Sequence, residues 1–400
     1  MPYSAYQNYC LNRQQTGLWR HLRTMTPAAH GRIEVAGHLL INFSSNNYLG
    51  LANNPILIKK ARLYCKKYGV GAQASRLVCG NSPLFDLVET KLAQGKKSEA
   101  ALVFNSGFQA NCAILAALLD KNILNNQLPL VFSDRLNHAS IHQGCLLAGV
   151  HQKRYHHNDL NHLEHLLQQS AAQKGPKFIL SETVFSMDGD QADVAGLIQL
   201  KERYGAFLYL DEAHATGVLG PNGFGLAAEF PGGADLVMGT FSKALGGFGA
   251  YAACSRLLRD YLINRAAGLI YSTALPPAVL GTMAAALELL PALGEQRQKL
   301  TRLGQQLRIH LQEIGLNTGN SSTQIVPLFL GAEHTALQWS QSLEKAGLLA
   351  VAIRPPTVPM GQSRLRFSLT ADHTNLDLAQ LLVEIQKLAQ KMLYKEMRPR

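Results

Sequence analysis

Lys243 closes the motif Thr240-Phe241-Ser242-Lys243 and opens a loop of small residues, Lys243-Ala244-Leu245-Gly246-Gly247. Upstream, Asp211 begins Asp211-Glu212-Ala213-His214. It follows the apolar run Ala206-Phe207-Leu208-Tyr209-Leu210, which places it at the carboxyl end of a buried strand. A lysine on such a loop is an amine that can condense with an aldehyde. A strand-end carboxylate can keep a proton on a ring nitrogen. Pyridoxal phosphate (PLP) needs both: the lysine holds its aldehyde, and the carboxylate keeps its pyridine protonated so that the ring accepts electrons. Either motif alone is equally a surface lysine or a strand-capping aspartate. Their order and their company favour the chemistry.

That company is a series of strand ends. Phe104-Asn105-Ser106-Gly107-Phe108-Gln109-Ala110-Asn111 joins a strand to a helix. Ser106 and Gly107 suit the turn, the amides that open the helix suit a phosphate, and Phe108 can shield a cofactor. By itself this is an ordinary capped junction. Asp134-Arg135-Leu136-Asn137-His138-Ala139-Ser140 follows another strand and offers His138 for stacking on a pyridinium ring, although a lone histidine is more often structural. Glu182 and Ser186 follow a third strand, Asp211 and His214 a fourth, and Lys243 a fifth. Five successive strand ends thus deliver polar side chains to one carboxyl edge, where open α/β sheets bind ligands.

The elements that must position these residues are legible as apolar runs. Strands are expected at Ala100–Phe104, Leu130–Ser133, Lys177–Ser181, Phe207–Asp211, Leu236–Gly239 and Gly249–Cys254, with helices at Gln109–Leu119, Asn161–Gln169 and Val194–Tyr204. The strands are short, apolar and without alternation, as when both faces are buried. The fold class is α/β: a mostly parallel sheet of the seven-stranded type sandwiched by helices, with a smaller α+β C-terminal domain. Three parts are expected: 1–45, a helix and a short strand pair; 46–277, the large α/β domain; and 278–400, the small domain. The last reads as helices at Ala278–Leu290 and Leu300–Ile314, strand Ile325–Leu330, helix Ala336–Ala346, strands Leu349–Ile353 and Arg364–Leu369, and helix Leu376–Lys391.

The chain has 400 residues, 47% of them hydrophobic, enough for a large and a small domain. Its 38 basic and 27 acidic residues give +11 without a dense basic block. This leaves open a generally basic surface, a polyphosphate cofactor or an acidic carrier protein. Six cysteines (Cys10, Cys65, Cys79, Cys112, Cys145, Cys254) are scattered with no Cys-x-x-Cys pair, which fits a reducing cytosol. Met1–Gln15 is polar and lacks an apolar signal core, and no apolar run is long enough to span a bilayer. A cytoplasmic protein without membrane or nucleic-acid partners is expected.

Three features mislead. Asp211-Glu212-Ala213-His214 spells a helicase motif, but the phosphate loop it requires is missing, and Gly95-Lys96-Lys97 does not supply it. Gly69-Val70-Gly71-Ala72-Gln73-Ala74 mimics a dinucleotide fingerprint but follows the helical Leu57–Tyr68 rather than a strand. His156, His157, His162 and His165 look like a metal cluster without the cysteines or carboxylates that would complete one, so no metal is expected.

The chain resembles the α-oxoamine synthases, PLP enzymes of fold type I that condense an amino acid with an acyl thioester and release carbon dioxide. The matching segments run nearly end to end: Asn42–Gly50, Gly69–Gly80, Ser106–Asn111, Asp134–Ser140, His157-Asn158-Asp159, Glu182–Asp190, Asp211–Gly217, Thr240–Gly247 and Tyr271–Pro277. The C-terminal run Ala352-Ile353-Arg354-Pro355-Pro356-Thr357-Val358-Pro359, with Arg364-Leu365-Arg366 and Leu369-Thr370-Ala371, is the most selective and is similar to the biotin-pathway branch. That branch implies L-alanine and a pimeloyl thioester, pimeloyl-CoA or pimeloyl-acyl-carrier protein, as substrates, and a homodimer with active sites at the interface. A sister branch would take glycine and acetyl-CoA. A non-catalytic partner subunit on the same fold would not keep Lys243, Asp211 and His138 together.

The resemblance also implies roles. Lys243 holds PLP and later abstracts the Cα proton, Asp211 pairs with the pyridine nitrogen, and His138 stacks on the ring and meets the substrate. His214 bonds the ring oxygen, with Ser186 beside it. Gly107, Phe108 and Thr240 serve the phosphate, with Ser272 and Thr273 reaching a phosphate across the dimer interface. Arg366 holds the substrate carboxylate, Thr357 lines the acyl pocket, and Arg23 completes the substrate set, with Arg20 competing for that place.

Overall fold

A computed structural model of the chain describes residues 2–16 and 18–396. The chain forms two compact units. One comprises residues 47–186 and 191–298; the other comprises residues 1–46, 187–190 and 299–400.

The first unit is built on a seven-stranded sheet: β1 (Ala100–Phe104), β2 (Leu130–Asp134), β3 (Gln152–Tyr155), β4 (Lys177–Glu182), β5 (Ala206–Asp211), β6 (Leu236–Thr240) and β7 (Ala250–Cys254). The spatial order is β1-β7-β6-β5-β4-β2-β3. β7 is antiparallel to both of its neighbours, while the other adjacent pairs are parallel. The carboxyl ends of β1 to β6 therefore share one edge. Every residue of β1, β6 and β7 is buried, the physical reason for their unbroken apolar sequences. The expected strands lie within a residue or two of those observed. β3 escapes the sequence reading because Gln-Lys-Arg-Tyr at the sheet edge has no apolar run to announce it.

The helix Gly107–Leu118 is buried along much of its length, and its Ile114 and Leu115 lie in the same apolar core as Phe178, Leu236 and Met238. Its N-cap is Ser106, whose hydroxyl accepts from the Gln109 amide at 3.3 Å. The helix begins two residues before the expected Gln109, so Gly107 and Phe108 occupy its first turn.

The second unit holds two small sheets. In the first, the antiparallel run Met25–Pro27, Arg32–Val35 and His38–Asn42 takes on Leu348–Leu349 as a parallel fourth strand. Three N-terminal strands thus replace the expected pair. The other sheet has the order Ile325–Gly331, Ser363–Ser368, Ala352–Ile353, all antiparallel. One strand over Leu349–Ile353 is expected from the sequence; the structure breaks it after Leu349 and gives its halves to different sheets. Helices Glu333–Lys345 and Asn375–Glu396 and the greater part of Gly294–Glu313 belong to the unit, and Pro2–Gln15 lies at its start with no buried residue. No single helix among the described residues is long and apolar enough to cross a membrane.

Candidate active site

Lys243 is half-buried on the loop after β6, and its Nζ lies 2.9 Å from His214 Nε2. The other nitrogen of that imidazole, Nδ1, is 2.7 Å from the hydroxyl of fully buried Tyr48. Two loops must pack tightly for this. Gly217 (φ +93°) sits where an added Cβ would come within 2.4 Å of the Ala244 side chain, and Gly246 (φ +64°) where one would meet the Leu51 carbonyl carbon at 2.4 Å. Glycine is the residue that permits both the backbone angle and the approach.

Asp211 ends β5, buried and in register with Glu182 at the end of β4. Its Oδ1 accepts from the Ala213 amide at 2.9 Å and its Oδ2 from Asn111 Nδ2 at 2.8 Å. Two carboxyl groups on adjacent strands in a dry site cannot both ionise freely. Burial first, and then the neighbouring Asp211, hold the Glu182 carboxyl well above the usual carboxylate range. His138 caps the helix Ala139–Leu147 and keeps an exposed surface. Its imidazole is pushed below its ordinary value by desolvation, which with the nearby Lys243 outweighs the opposing pull of Asp211.

Gly107 and Phe108 supply the first-turn amides of their helix, and the Phe108 side chain is exposed. The Thr240 hydroxyl donates to Gly249 O at 2.8 Å and lies 2.7 Å from Ser242 Oγ, so Thr240 shapes the lysine loop from inside. Ser186 is buried. Ser272 accepts from Gln109 Nε2 at 2.7 Å, and the Thr273 carbonyl accepts from Asn105 Nδ2 at 2.9 Å. The pair therefore lies beside the Gly107 helix start of its own chain, with the Thr273 residue exposed.

In the second unit, Arg364 and Arg366 are both buried, but their partners differ. Arg364 donates to Asp188 at 2.8 Å and stacks its guanidinium 4.0 Å from the Phe329 ring centre, a structural assignment. Arg366 donates to Ser368 Oγ at 2.6 Å and Asn46 Oδ1 at 3.3 Å, both neutral acceptors. Arg23 forms a two-point ion pair with Glu344, whereas Arg20 donates to Thr357 Oγ1 at 3.1 Å. Of the two N-terminal arginines, it is Arg20 that the structure brings to Thr357.

Among the described residues there is no group of three or more histidines, cysteines or carboxylates that could hold a metal. His157 Nδ1 lies 3.1 Å from Asp134, and the His156 and His162 ring centres lie 4.0 Å apart, tilted by 40°. The sequence reading missed Asn111, Tyr48 and Ser140. A signal for Asn111 did exist: it is the one strongly polar side chain within the apolar stretch of its helix.

The set fits PLP: an amine, a carboxylate gripped by two donors, an imidazole with exposed surface, and the first-turn amides of a helix. The family model of class I and II aminotransferases matches residues 39–385. The 8-amino-7-oxononanoate synthase of Gluconacetobacter diazotrophicus is 54% identical over 356 residues, 89% of each chain. A protein of Magnetococcus marinus, under the same name given provisionally, is 59% identical over 386 residues, 96% of this chain and 98% of its own. The chain belongs to the α-oxoamine synthases. Solved structures agree: serine palmitoyltransferase of S. paucimobilis, with PLP and myriocin bound, superposes with a TM-score of 0.89 at 26% identity over 98% of each chain. The 8-amino-7-oxononanoate synthase of Francisella tularensis does so with a TM-score of 0.77 at 27% identity, over 90% of this chain and 99% of its own. This α-oxoamine synthase has PLP fold type I, uses PLP as its cofactor and is an acyltransferase.

Proposed function

We propose that the chain condenses L-alanine with a pimeloyl thioester, carried by CoA or by an acyl-carrier protein, to give 8-amino-7-oxononanoate, carbon dioxide and the free thiol in biotin synthesis. The observation that carries this reading is the joining of Lys243, His214, Asp211 and His138 in one unit, in a chain whose relatives bear that synthase's name over nearly their whole length.

Bound there, PLP supplies an aldehyde for amines and a protonated ring that takes up the electron pair left at Cα. Lys243 holds the aldehyde and, once displaced, moves the Cα proton. It must be neutral to do so, which a desolvated setting favours. Asp211, gripped by Asn111 and the Ala213 amide, would serve the ring nitrogen. His214, itself oriented by Tyr48, would serve the ring oxygen, with Ser186 as the second donor. His138 would stack on the ring. The Gly107 and Phe108 amides and the Thr240–Ser242 hydroxyl pair serve the phosphate, with Ser272 and Thr273 completing that set in a homodimer. Arg366 takes the substrate carboxylate, since a guanidinium meets a carboxylate in two parallel hydrogen bonds, whereas Arg364 is paired with Asp188. Thr357 and Arg20 line the acyl pocket in place of the expected Arg23, which is bound to Glu344.

The test is product formation by purified protein with PLP, each of alanine, glycine and serine, and pimeloyl-, acetyl-, succinyl- and palmitoyl-thioesters. Alanine with the pimeloyl donor should give a much higher kcat/KM than with the acetyl donor, since each methylene buried in a pocket shaped for the longer chain adds about 0.8 kcal/mol. Arg366→Lys should raise the KM for alanine while cofactor binding survives, because an ammonium cannot reproduce a two-point bond to carboxylate. Faster turnover of glycine with acetyl-CoA would replace this reading with the sister ligase.

A further inference from the structure

We infer that Tyr209, Asn111 and Ser140 form a positioning relay that fixes His138 as the neutral imidazole with its proton on Nε2. The relay follows from which atoms can only accept and which can only donate. Asp211 Oδ2 is a carboxylate oxygen, so the Asn111 atom 2.8 Å from it is the amide nitrogen, acting as donor. The Asn111 oxygen then faces Tyr209, whose hydroxyl donates at 2.6 Å. Tyr209 is fully buried, and burial raises its phenol well above the ordinary range, so it remains a donor at every working pH. The second Asn111 amide proton goes to Ser140 Oγ at 2.8 Å.

Ser140 Oγ keeps one proton and a second lone pair, and His138 Nδ1 lies 2.7 Å away. The backbone amide of Ser140 also points at Nδ1, at 3.3 Å, and an amide can only donate. Two donors converge on one ring nitrogen, so Nδ1 carries no proton and Nε2 does. Asn111, Ser140 and Tyr209 are each almost completely buried, at 1%, 0% and 0% exposed. Buried polar groups must be satisfied internally, so the polarity of the chain is not interchangeable with its reverse. The depressed basicity of His138 supports the neutral form independently.

The relay ties two groups that the sequence reading treats separately. The same Asn111 amide grips the carboxylate assigned to the ring nitrogen and, through Ser140, sets the tautomer of the histidine assigned to the ring face. His138 consequently offers a hydrogen-bond donor at Nε2, not a base at Nδ1. Only that catalytic consequence rests on the function proposed above; the tautomer is a property of the chain.

The test is solid-state proton–nitrogen correlation of holoenzyme containing nitrogen-15 histidine at neutral pH, with the His138 signal assigned by its loss in His138→Gln. Wild type should show Nε2 protonated and Nδ1 bare. Ser140→Ala should shift the ring toward a mixture of tautomers and lower kcat/KM about tenfold, the worth of one hydrogen bond, with PLP absorbance retained. Ser140→Thr should restore both. A proton on Nδ1 in the wild type would overturn the relay, as would Ser140→Ala with tautomer and kcat/KM unchanged. An Nε2–H tautomer in a protein that never turns over with PLP would uphold the relay and reject the proposed function.

Discussion

Asp211 is held by two donors, the Asn111 amide and the Ala213 backbone amide, one on each carboxylate oxygen. An asparagine at 211 could accept from only one of them and would turn its own NH2 group toward the other, besides losing the charge. We therefore expect Asp211→Asn to bind PLP but to exchange the Cα proton of alanine with deuterated solvent roughly a thousandfold more slowly. Near-normal exchange by NMR would contradict the role. At this scale the sequence was informative where a residue type is chemically rare. Lys243 on a small-residue loop and Asp211 after an apolar strand were legible. Asn111, Ser140 and Tyr209 were not, because each is an ordinary residue whose importance comes only from what the fold brings within 3 Å of it.

Among elements, the loop that carries Asp211 and His214 is anchored from behind. Glu212, the second residue of Asp-Glu-Ala-His, is fully buried and paired with buried Lys96, which ends the helix Pro83–Lys96. Burial alone would push the Lys96 ammonium down, but Glu212 and Tyr251 more than reverse this and leave it raised. Glu212 also accepts from the Ala227 amide at 2.8 Å, and Tyr251 shares a 2.7 Å hydrogen bond with Thr216 on the same loop. Removing one member strands a buried charge. Lys96→Met should lower stability by about 3–5 kcal/mol, and a Lys96→Met/Glu212→Gln double variant should recover much of it. Denaturant midpoints measure both; a double variant no more stable than Lys96→Met would show that the pair does not act as a unit. From sequence, Lys96 appeared only in Gly-Lys-Lys, where it resembled a failed phosphate loop. Strand positions were legible because a doubly covered sheet requires apolar runs. The edge strand β3 and the break after Leu349 were not, since an edge and a bend leave no such requirement.

For the molecule as a whole, the clearest acid sensitivity lies at His373 in the second unit. Its ring stacks on Phe43 with centres 4.4 Å apart. Nδ1 accepts from the Thr370 amide at 3.0 Å, and Nε2 donates to Asn42 O at 3.2 Å. Both nitrogens are thus satisfied in the neutral form, and burial pushes the imidazole down to about 4. The unfolded chain takes up this proton near the ordinary value of 6.5 and the folded chain only near 4. Stability therefore falls as pH drops from 6.5 toward 4, by about 3 kcal/mol, and is level in this respect above that window. Equilibrium denaturation at pH values across the window should show the slope, and His373→Gln should flatten it; an equal slope in the variant would reject the assignment. Fold class was legible at this scale from the alternation of apolar strands and helices, because one packing solution covers both faces of a parallel sheet. The joining of residues 1–46 and 187–190 with 299–400 in one compact unit was not, since such contacts leave no periodic trace in the sequence.

The central claim is that Lys243 is the lysine that holds PLP. Reduction of the holoenzyme with borohydride, followed by peptide mapping, tests it directly. A single pyridoxyl-modified peptide containing Thr240-Phe241-Ser242-Lys243 is predicted, with no label in Lys243→Ala. A label on another lysine, or none on the wild-type protein, would contradict the account.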